Sequence, residues 1–427
     1  MFIQLKAPVY VQWEVTPACN FKCIHCYNAW RQEERQEHEK IDLYSVIVDE
    51  LIQNRVFHVT ITGGEPLLVF KEIKPYLKRL NAANIAMSIN TNATLVTKKL
   101  AQELREVGIT HALVSVPCGQ AEICDDITKH QNSLMKIMRG ISFLLQNDIT
   151  VSVNMVITQK NIKYIYETAK KFEHIPISSF GATRAATPCE YEQFNQFRIS
   201  REQMAQMFEA LIQIENDLKI RTTSFEFYPY CSFMSENHFK KFGNRICSAG
   251  RTEVAVSYNG DIKPCAHIGK TYGNIKESLK AAWFSMDEEW RQEQNIPKVC
   301  EKCFYRESCS GGCRQEAFKC FGSYGAIDPI ASPVCLYRKY NDRRISLDAP
   351  FELNQHLQFR EEGEEIILIY KNVQSWLLVK KDLIEWIRKK RCIEKWEMAA
   401  ELGLNSIEVS QILIKLISKG VLVRKNE

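Results

Sequence analysis

Cys19, Cys23 and Cys26 lie in the run CNFKCIHCYN with the spacing C-x3-C-x2-C. That spacing puts three thiolates on one short loop, directly after an apolar strand expected over Val11–Val15. Three soft ligands suit three irons of a [4Fe–4S] cluster, which cysteine thiolates hold. A closed cluster takes four cysteines, so a triad leaves one iron open, and that is where chemistry can happen. Structural zinc sites usually pair two C-x2-C units, or Cys pairs with His pairs, and are closed. No second pair lies near this loop.

Forty residues on, Thr60-Ile61-Thr62-Gly63-Gly64-Glu65-Pro66 ends an apolar strand in a glycine turn and a carboxylate. Two glycines let the backbone approach a ligand closely. The triad followed by GGEP at this distance resembles the radical S-adenosylmethionine (radical SAM) superfamily. The resemblance implies that the open iron is chelated by the amino and carboxylate groups of SAM. One electron from the cluster would then cleave SAM to methionine and a 5′-deoxyadenosyl radical that takes a hydrogen atom from substrate. Gly63, Gly64, Glu65 and Pro66 would hold the methionine ammonium.

The whole chain is compatible with such an enzyme. It has 427 residues, enough for two or three domains, and 45% apolar residues, ample for sizeable cores. A net charge of +5 is small for this length and gives no electrostatic ground for nucleic-acid or membrane binding. No signal peptide opens the chain and no apolar run of about 18 residues could span a bilayer. The 16 cysteines therefore suit a reducing cytoplasm, as metal ligands rather than disulfides. Oxygen would be hostile to such clusters.

Residues 1–185 alternate short β-rich runs with helix-length amphipathic segments. Strands are expected at Val11–Val15, His58–Thr62, Ala86–Asn90, Ala112–Val116, Val151–Ile157 and Ile177–Gly181. Helices are expected at Leu43–Asn54, Lys71–Ala82, Thr97–Val107, Met135–Gln146 and Asn161–Phe172. The alternation argues for βαβ units on a parallel sheet. Six units are similar to the partial (β/α)6, TIM-like barrel of the radical SAM core. Active residues of such barrels gather at the C-terminal ends of the strands. The resemblance therefore adds Ser88 and Asn90 after the third strand, Ser115 on the fourth, Asn154 on the fifth and Arg184 beyond the sixth. Ser115-Val116-Pro117-Cys118 lacks the Asp that relatives often carry there. An Arg fork suits the methionine carboxylate, and His25 and Tyr27, flanking Cys26, could pack on adenine.

A helical linker (186–230) leads to a cysteine-rich segment, 231–344. Cys247 is followed by Gly260-Asp261-Ile262-Lys263-Pro264-Cys265 on an expected hairpin turn, Tyr258-Asn259-Gly260-Asp261. Then come Cys300, Cys303, Cys309 and Cys313, and later Cys320 and Cys335. This order is similar to the SPASM domain, which carries two auxiliary [4Fe–4S] clusters. By that resemblance Cys300, Cys303, Cys309 and Cys335 hold the outer cluster, and Cys247, Cys265 and Cys313 the inner one. Some relatives have a further cysteine shortly after the one matching Cys247; none lies between Cys247 and Cys265 here. The inner cluster then has an open iron, able to take a substrate thiolate, or is completed by Cys231 or Cys320. Cys118, Cys124, Cys189 and Cys392 have no partner at ligand spacing and read as packing residues.

Residues 345–427 nearly lack cysteine. Strands are expected at Gln355–Arg360, Glu365–Tyr370 and Ser375–Val379. Helices follow at Asp382–Arg391, Glu394–Leu402 and Ile407–Lys419, with a wing strand at Val421–Val423. This α+β pattern resembles the winged-helix recognition element of enzymes that modify ribosomally made peptides, where a leader peptide adds a strand to a sheet edge. As a DNA reader the helix Ile407–Lys419 would offer Lys415 and Lys419 and no Arg for guanine.

The expectation is a radical SAM/SPASM peptide maturase with three [4Fe–4S] clusters and SAM, acting on a precursor peptide. An auxiliary cluster would accept an electron as a C–S, C–C or C–O crosslink or a desaturation forms. A reductase such as flavodoxin or ferredoxin would supply the first electron. Two alternatives stand beside it: oxidation or decarboxylation of a small metabolite such as a tetrapyrrole or sugar, and a DNA-binding iron–sulfur sensor. No catalytic acid or base is legible; Tyr228, Tyr230 and Asp261 are candidates by location alone.

Overall fold

The computed structural model describes residues 5–27, 40–188, 194–243, 245–287, 289–291, 295–332, 347, 350–372 and 375–425. The chain divides into two compact units, Tyr10–Arg338 and a second made of Met1–Val9 with Lys339–Glu427. The boundaries expected at 185 and 230 both fall inside the first unit.

The first unit is built on one sheet. Its strands are β1 (Tyr10–Glu14), β2 (His58–Thr62), β3 (Ala86–Thr91), β4 (Ile109–Ser115), β5 (Thr150–Ile157), β6 (Ser179–Arg184), β7 (Thr222–Thr223), β8 (Glu253–Val256) and β9 (Ile262–Lys263). They lie in the order β7-β6-β5-β4-β3-β2-β1-β8-β9, so the barrel is open, as the α/β reading expects. Pairing from β1 through β7 is parallel, and β8 also runs parallel to β1. Only β9 returns antiparallel.

Residue alternation along these strands explains how a parallel sheet can be apolar outside and polar within. Val11, Trp13, Val59, Ile61, Met87, Ile89, Ala112, Val114, Val151 and Val153 are buried. They form the layer beneath helices such as Lys40–Gln53, Phe70–Ala82, Lys98–Glu106 and Ser133–Leu145, whose apolar faces supply Ile47, Leu51, Leu77, Leu104 and Ile141. The intervening residues are polar and bond to one another across the sheet. Tyr10 donates to Thr60 at 2.9 Å, Thr60 and Ser88 share a bond of 2.7 Å, and His58 Nε2 meets Ser88 Oγ at 2.9 Å. His111 meets Ser152 at 3.0 Å, and Ser179 donates to Ser152 at 2.9 Å. A lumen lined this way suits a polar cofactor.

The sixth strand runs further than expected, ending at Arg184. Gly181 reads as a strand end, yet its pairing with β5 continues to Arg184, and the glycine makes room for the Phe225 ring, to which a Cβ would lie at 2.2 Å. The two-residue β7 and the helix Ala121–Thr128 were not expected. The expected hairpin turn does join β8 to β9, with Gly260 at φ +90°.

In the second unit, β11 (Gln358–Glu361), β12 (Ile366–Asn372) and β13 (Ser375–Lys380) form an antiparallel meander. Helices Lys381–Lys389, Lys395–Leu402 and Ser406–Ser418 follow. β14 (Leu422–Arg424) pairs antiparallel with β10 (Phe351–Leu353). Phe351, Ile367, Ile369, Ile384, Ile387, Met398, Val409, Leu413 and Leu416 form its core. Gly403 at φ +64° ends the second helix, and Asn405 with Glu408 makes a capping box for the third. Arg360 donates to the carbonyls of Ala7 (2.6 Å) and Pro8 (3.0 Å), which ties the N-terminal segment to this unit.

Candidate active site

Three chain segments meet at the C-terminal ends of β1, β2 and β3. The backbone after β1 accepts the glycine turn: Gly64 N donates to Thr16 O at 2.6 Å and Glu65 N to Ala18 O at 2.8 Å. A Cβ on Gly64 would lie 2.0 Å from Ala18 O, and one on Gly63, at φ +133°, 2.4 Å from Thr16 O. Both positions need glycine for this close approach. Glu65 is buried, and its carboxylate accepts from Leu67 N (3.1 Å), Thr91 Oγ1 (2.7 Å) and Asn92 N (2.8 Å). Burial still lifts it to about 7. With three of roughly four acceptor directions used, one is left for a ligand ammonium. Pro66 opens the short 3-10 turn that Glu65 caps.

The cysteine loop is held on both sides. Asn20 accepts from Asn92 Nδ2 at 2.8 Å and donates to Thr94 at 2.9 Å. Lys22 N and Ile24 N donate to Thr128 O and Ile127 O, at the end of the unexpected helix. Phe21 N donates to Cys19 Sγ at 3.3 Å, the bond a thiolate ligand needs. Burial first, then Glu65 and Cys26, pushes the Cys19 thiol up to about 11; burial, Cys26 and Cys19 push Cys23 higher still. The triad is thus gathered closely enough for its members to repel as thiolates, which bound iron would relieve.

The other expected cofactor residues divide. Ser88 belongs to the lower polar ladder, while Ser115 and Asn154 are register partners nearer the strand ends. Asn154 accepts from Thr183 at 3.0 Å, and Asn90 stands on β3 one residue before Thr91. Tyr27 donates to Glu14 at 3.2 Å, and its ring packs edge-on to His267, centroids 4.8 Å apart. His25 has a buried Nδ1 without a hydrogen-bond partner, and burial holds its ring neutral, down to about 4.

Arg184 has partners that the sequence reading lacked. Its guanidinium forms a fork on Asp328, at 2.9 and 2.8 Å, and Nε donates to Glu226 at 2.7 Å. Protein carboxylates thus take three of the five guanidinium N–H donors of this Arg. Asp328 also accepts from Cys313 N at 2.9 Å, and Glu316 accepts from Thr187 N and Oγ1 at 2.6 and 2.9 Å. Neither acid was singled out, because no local spacing marks a carboxylate that pairs over such sequence distances.

Among the auxiliary cysteines, burial and then Cys303 push the Cys300 thiol up, and burial, with smaller pushes from Cys300 and Cys303, lifts Cys309 to about 11. Cys335, their expected fourth partner, lies outside the described residues, as does Cys189. Burial, Glu253 and then Cys247 push the Cys265 thiol up, and burial followed by Glu316 and Asp328 does the same to the half-buried Cys313. Cys320 sits near Arg198 and Glu316, and the Cys231 carbonyl accepts from Arg201. Cys118 and Cys124 are fully buried, the latter accepting from Ser133 Oγ. Tyr228 bonds Ser224 at 2.9 Å, Tyr230 donates to Arg245 O at 3.0 Å, and Asp261 braces the hairpin through Asn259 and Asn274. No three His, Cys, Asp or Glu among the described residues converge tightly enough for a single metal ion. Thiols that sense one another at wider spacing fit ligands spread over the corners of a cluster.

Comparison with known proteins agrees with this geometry. Residues 13–172 match the Radical SAM superfamily, and residues 247–304 match SPASM, an iron–sulfur cluster-binding domain. The chain is 23% identical over 365 residues to the AdoMet-dependent heme synthase of Methanosarcina barkeri, covering 79% of this chain and 99% of that protein. It is 25% identical over 329 residues to the mycofactocin maturase MftC of Mycobacterium tuberculosis, covering 74% and 80%. Its fold is similar to Streptococcus suis SuiB bound to S-adenosylmethionine, with TM-score 0.63 and 19% identity over 77% of this chain and 78% of that one. SuiB is also known bound to its precursor peptide SuiA.

Proposed function

Since this chain is a radical SAM enzyme with an SPASM domain, we propose that it oxidatively matures a ribosomally made peptide. SAM and the clusters, when bound, supply hydrogen-atom abstraction and a place for the electron that leaves the substrate. The chain's own residues do the rest. Cys19, Cys23 and Cys26 hold the first cluster, and the Gly63–Gly64 turn with Glu65 takes the methionine end of SAM. The polar lumen around Asn90, Ser115 and Asn154 orients the cofactor. Cys300, Cys303, Cys309 and Cys335 serve the outer auxiliary cluster, and Cys247, Cys265 and Cys313 the inner one.

The second unit carries the peptide reading. Its five strands and three helices share one core, which supports the reading of this unit as a winged-helix-like recognition element. Among the described residues β11 and β13 are sheet edges, to which a leader peptide can add as a strand. Relatives support the same substrate class: MftC is named a maturase, and SuiB binds a precursor peptide. An external reductase of the flavodoxin or ferredoxin kind completes the system.

A second reading has its own support. The heme synthase match spans 99% of that protein, which favours oxidation of a small metabolite. It leaves about a fifth of this chain unmatched.

The test is anaerobic reconstitution with iron and sulfide, then SAM, dithionite and peptides encoded beside the gene. A peptide maturase should bind about twelve irons, release 5′-deoxyadenosine and return a peptide lighter by two hydrogens. Full iron loading with no change in any peptide would move the search to metabolites.

A further inference from the structure

The helix Arg314–Phe321 carries a feature that the cluster sites leave unused. Gln315, Phe318 and Lys319 share one face of it, at positions i, i+3 and i+4. With Gly269, Lys270 and Tyr324 they line a cavity of about 400 Å³, within the range of pockets that hold ligands. The cavity thus lies between the segment that follows Cys265 and the helix that follows Cys313. One wall of it is fixed in place: Arg314 Nη1 donates to Tyr324 O and to Ala326 O, both at 2.7 Å. Tyr324 in turn stacks on Phe318, with ring centroids 4.5 Å apart and planes at 17°, and meets Trp290 edge-on at 5.3 Å. At Gly269 the cavity is open, since nothing lies within 4 Å of where a Cβ would stand.

Gln315 is only 3% exposed, and its Oε1 is buried with no hydrogen-bond partner. No hydrogen bond engages its Nε2 among the described residues either. A side-chain amide offers both donors and acceptors, and burying one unpaired is costly. The group that answers both ends of it at once is another amide, such as a peptide bond. Lys319, half-buried at the rim, makes no ion pair among the described residues, whereas Lys270 is paired with Glu289. The Phe318–Tyr324 stack adds an apolar surface, with Phe318 38% exposed. The cavity therefore combines an amide clamp, an aromatic shelf and a cation that calls for a carboxylate.

We propose that this cavity seats an extended segment of the precursor peptide. A backbone amide of the peptide pairs with the Gln315 amide, an apolar side chain covers the Phe318–Tyr324 stack, and a nearby carboxylate meets Lys319. The inference rests on the peptide-maturase reading and names where the substrate is held beyond its leader contact. A metabolite without a peptide bond would leave the Gln315 amide half answered. A chain held here runs between the Cys265 and Cys313 segments, so Gln315 and Lys319 determine which stretch of the peptide lies beside the inner auxiliary site.

Hydrogen–deuterium exchange of the reconstituted full chain, with and without the precursor peptide encoded beside the gene, tests the assignment. The peptide should slow exchange in Arg314–Phe321 and at residues 266–270, as well as in the second unit. Gln315→Leu keeps the bulk and removes the orphaned amide, so its denaturant midpoint should rise. Its KM for the peptide should nonetheless increase about tenfold, the worth of one or two hydrogen bonds. Lys319→Glu, at the rim, should also raise KM, and replacing the acidic residues of the peptide by lysine should reverse that effect. If the peptide protects the second unit but leaves this helix unprotected and the KM of both variants unchanged, the cavity is no peptide site, while the maturase reading stands. Protection of the helix by flavodoxin and not by peptide would make it a redox dock and overturn the proposal as well. If the peptide neither binds nor is modified, the maturase reading fails and this inference with it.

Discussion

Arg184 and Asp328, 144 residues apart in sequence, form a two-pronged ion pair that joins the last residue of β6 to the end of the cysteine-rich segment. Asp328 is fully buried, and both partners make further bonds, Arg184 to Glu226 and Asp328 to the Cys313 amide. Coulomb attraction from Arg184 and these donors keeps the Asp328 carboxyl below its ordinary range despite burial.

Breaking that pair should be expensive. Asp328→Asn leaves the buried guanidinium with Glu226 as its remaining carboxylate partner and is expected to destabilise the chain by about 3 kcal/mol. Replacing both, as Arg184→Met with Asp328→Leu, should cost less than the sum of the single changes. Denaturant unfolding of the four proteins in a double-mutant cycle gives the coupling; additive losses would refute it.

Gly64→Ala places a methyl group where Ala18 O already sits, at 2.0 Å. The turn and the cysteine loop must then part. A stability loss of about 1–3 kcal/mol is expected from overpacking, together with at least a tenfold weaker SAM affinity. Calorimetric titration of SAM into the reconstituted protein measures the second effect.

His58 supplies a pH dependence. Burial lowers it to about 4, with a smaller push from His111. The unfolded chain takes up a proton near 6.5 that the folded chain refuses until about 4. Stability from the neutral ring is therefore present above 6.5 and is lost as pH falls through 4. Between pH 7 and pH 5 the loss should be about 2 kcal/mol, and His58→Gln should remove that part of the slope. Unfolding curves of both proteins at the two pH values decide it.

Removing residues from 345 onward should abolish modification of a full-length precursor peptide while SAM cleavage continues. Mass spectrometry of the peptide and chromatography of 5′-deoxyadenosine separate the two. Undiminished peptide processing by the shortened chain would favour the small-metabolite reading.

Much of this architecture is legible in the sequence because it is periodic. Apolar–polar alternation marks β1 to β5 within one to three residues, and the helices between them follow from their amphipathic spacing. The meander and three helices of the second unit are legible for the same reason, whereas β10, the partner of β14, is not. The cysteine loop and the glycine turn were visible because ligand spacing and glycine pairs are local signals. Asp328 and Glu316 were not, since a carboxylate acquires its meaning from what the fold brings to it. Gly181 misled the sixth strand because the Phe225 ring that justifies it comes 44 residues later. The helix Ala121–Thr128 is too short to announce itself by period, though it anchors the cysteine loop.

The parallel pairing of β1 with β8 bears on how the protein is made. β1 is internal in the finished sheet, yet its second neighbour begins only at Glu253. At ribosomal speeds of about 5–20 residues per second, the nascent chain carries β1 as an open edge for on the order of 10–50 s. The loop of Cys19 hangs from that edge throughout. An unpaired strand next to reactive thiols is a hazard for misassembly and oxidation. Slow translation, a holding chaperone or early iron delivery should therefore govern the yield of active protein more than the stability of the mature fold does.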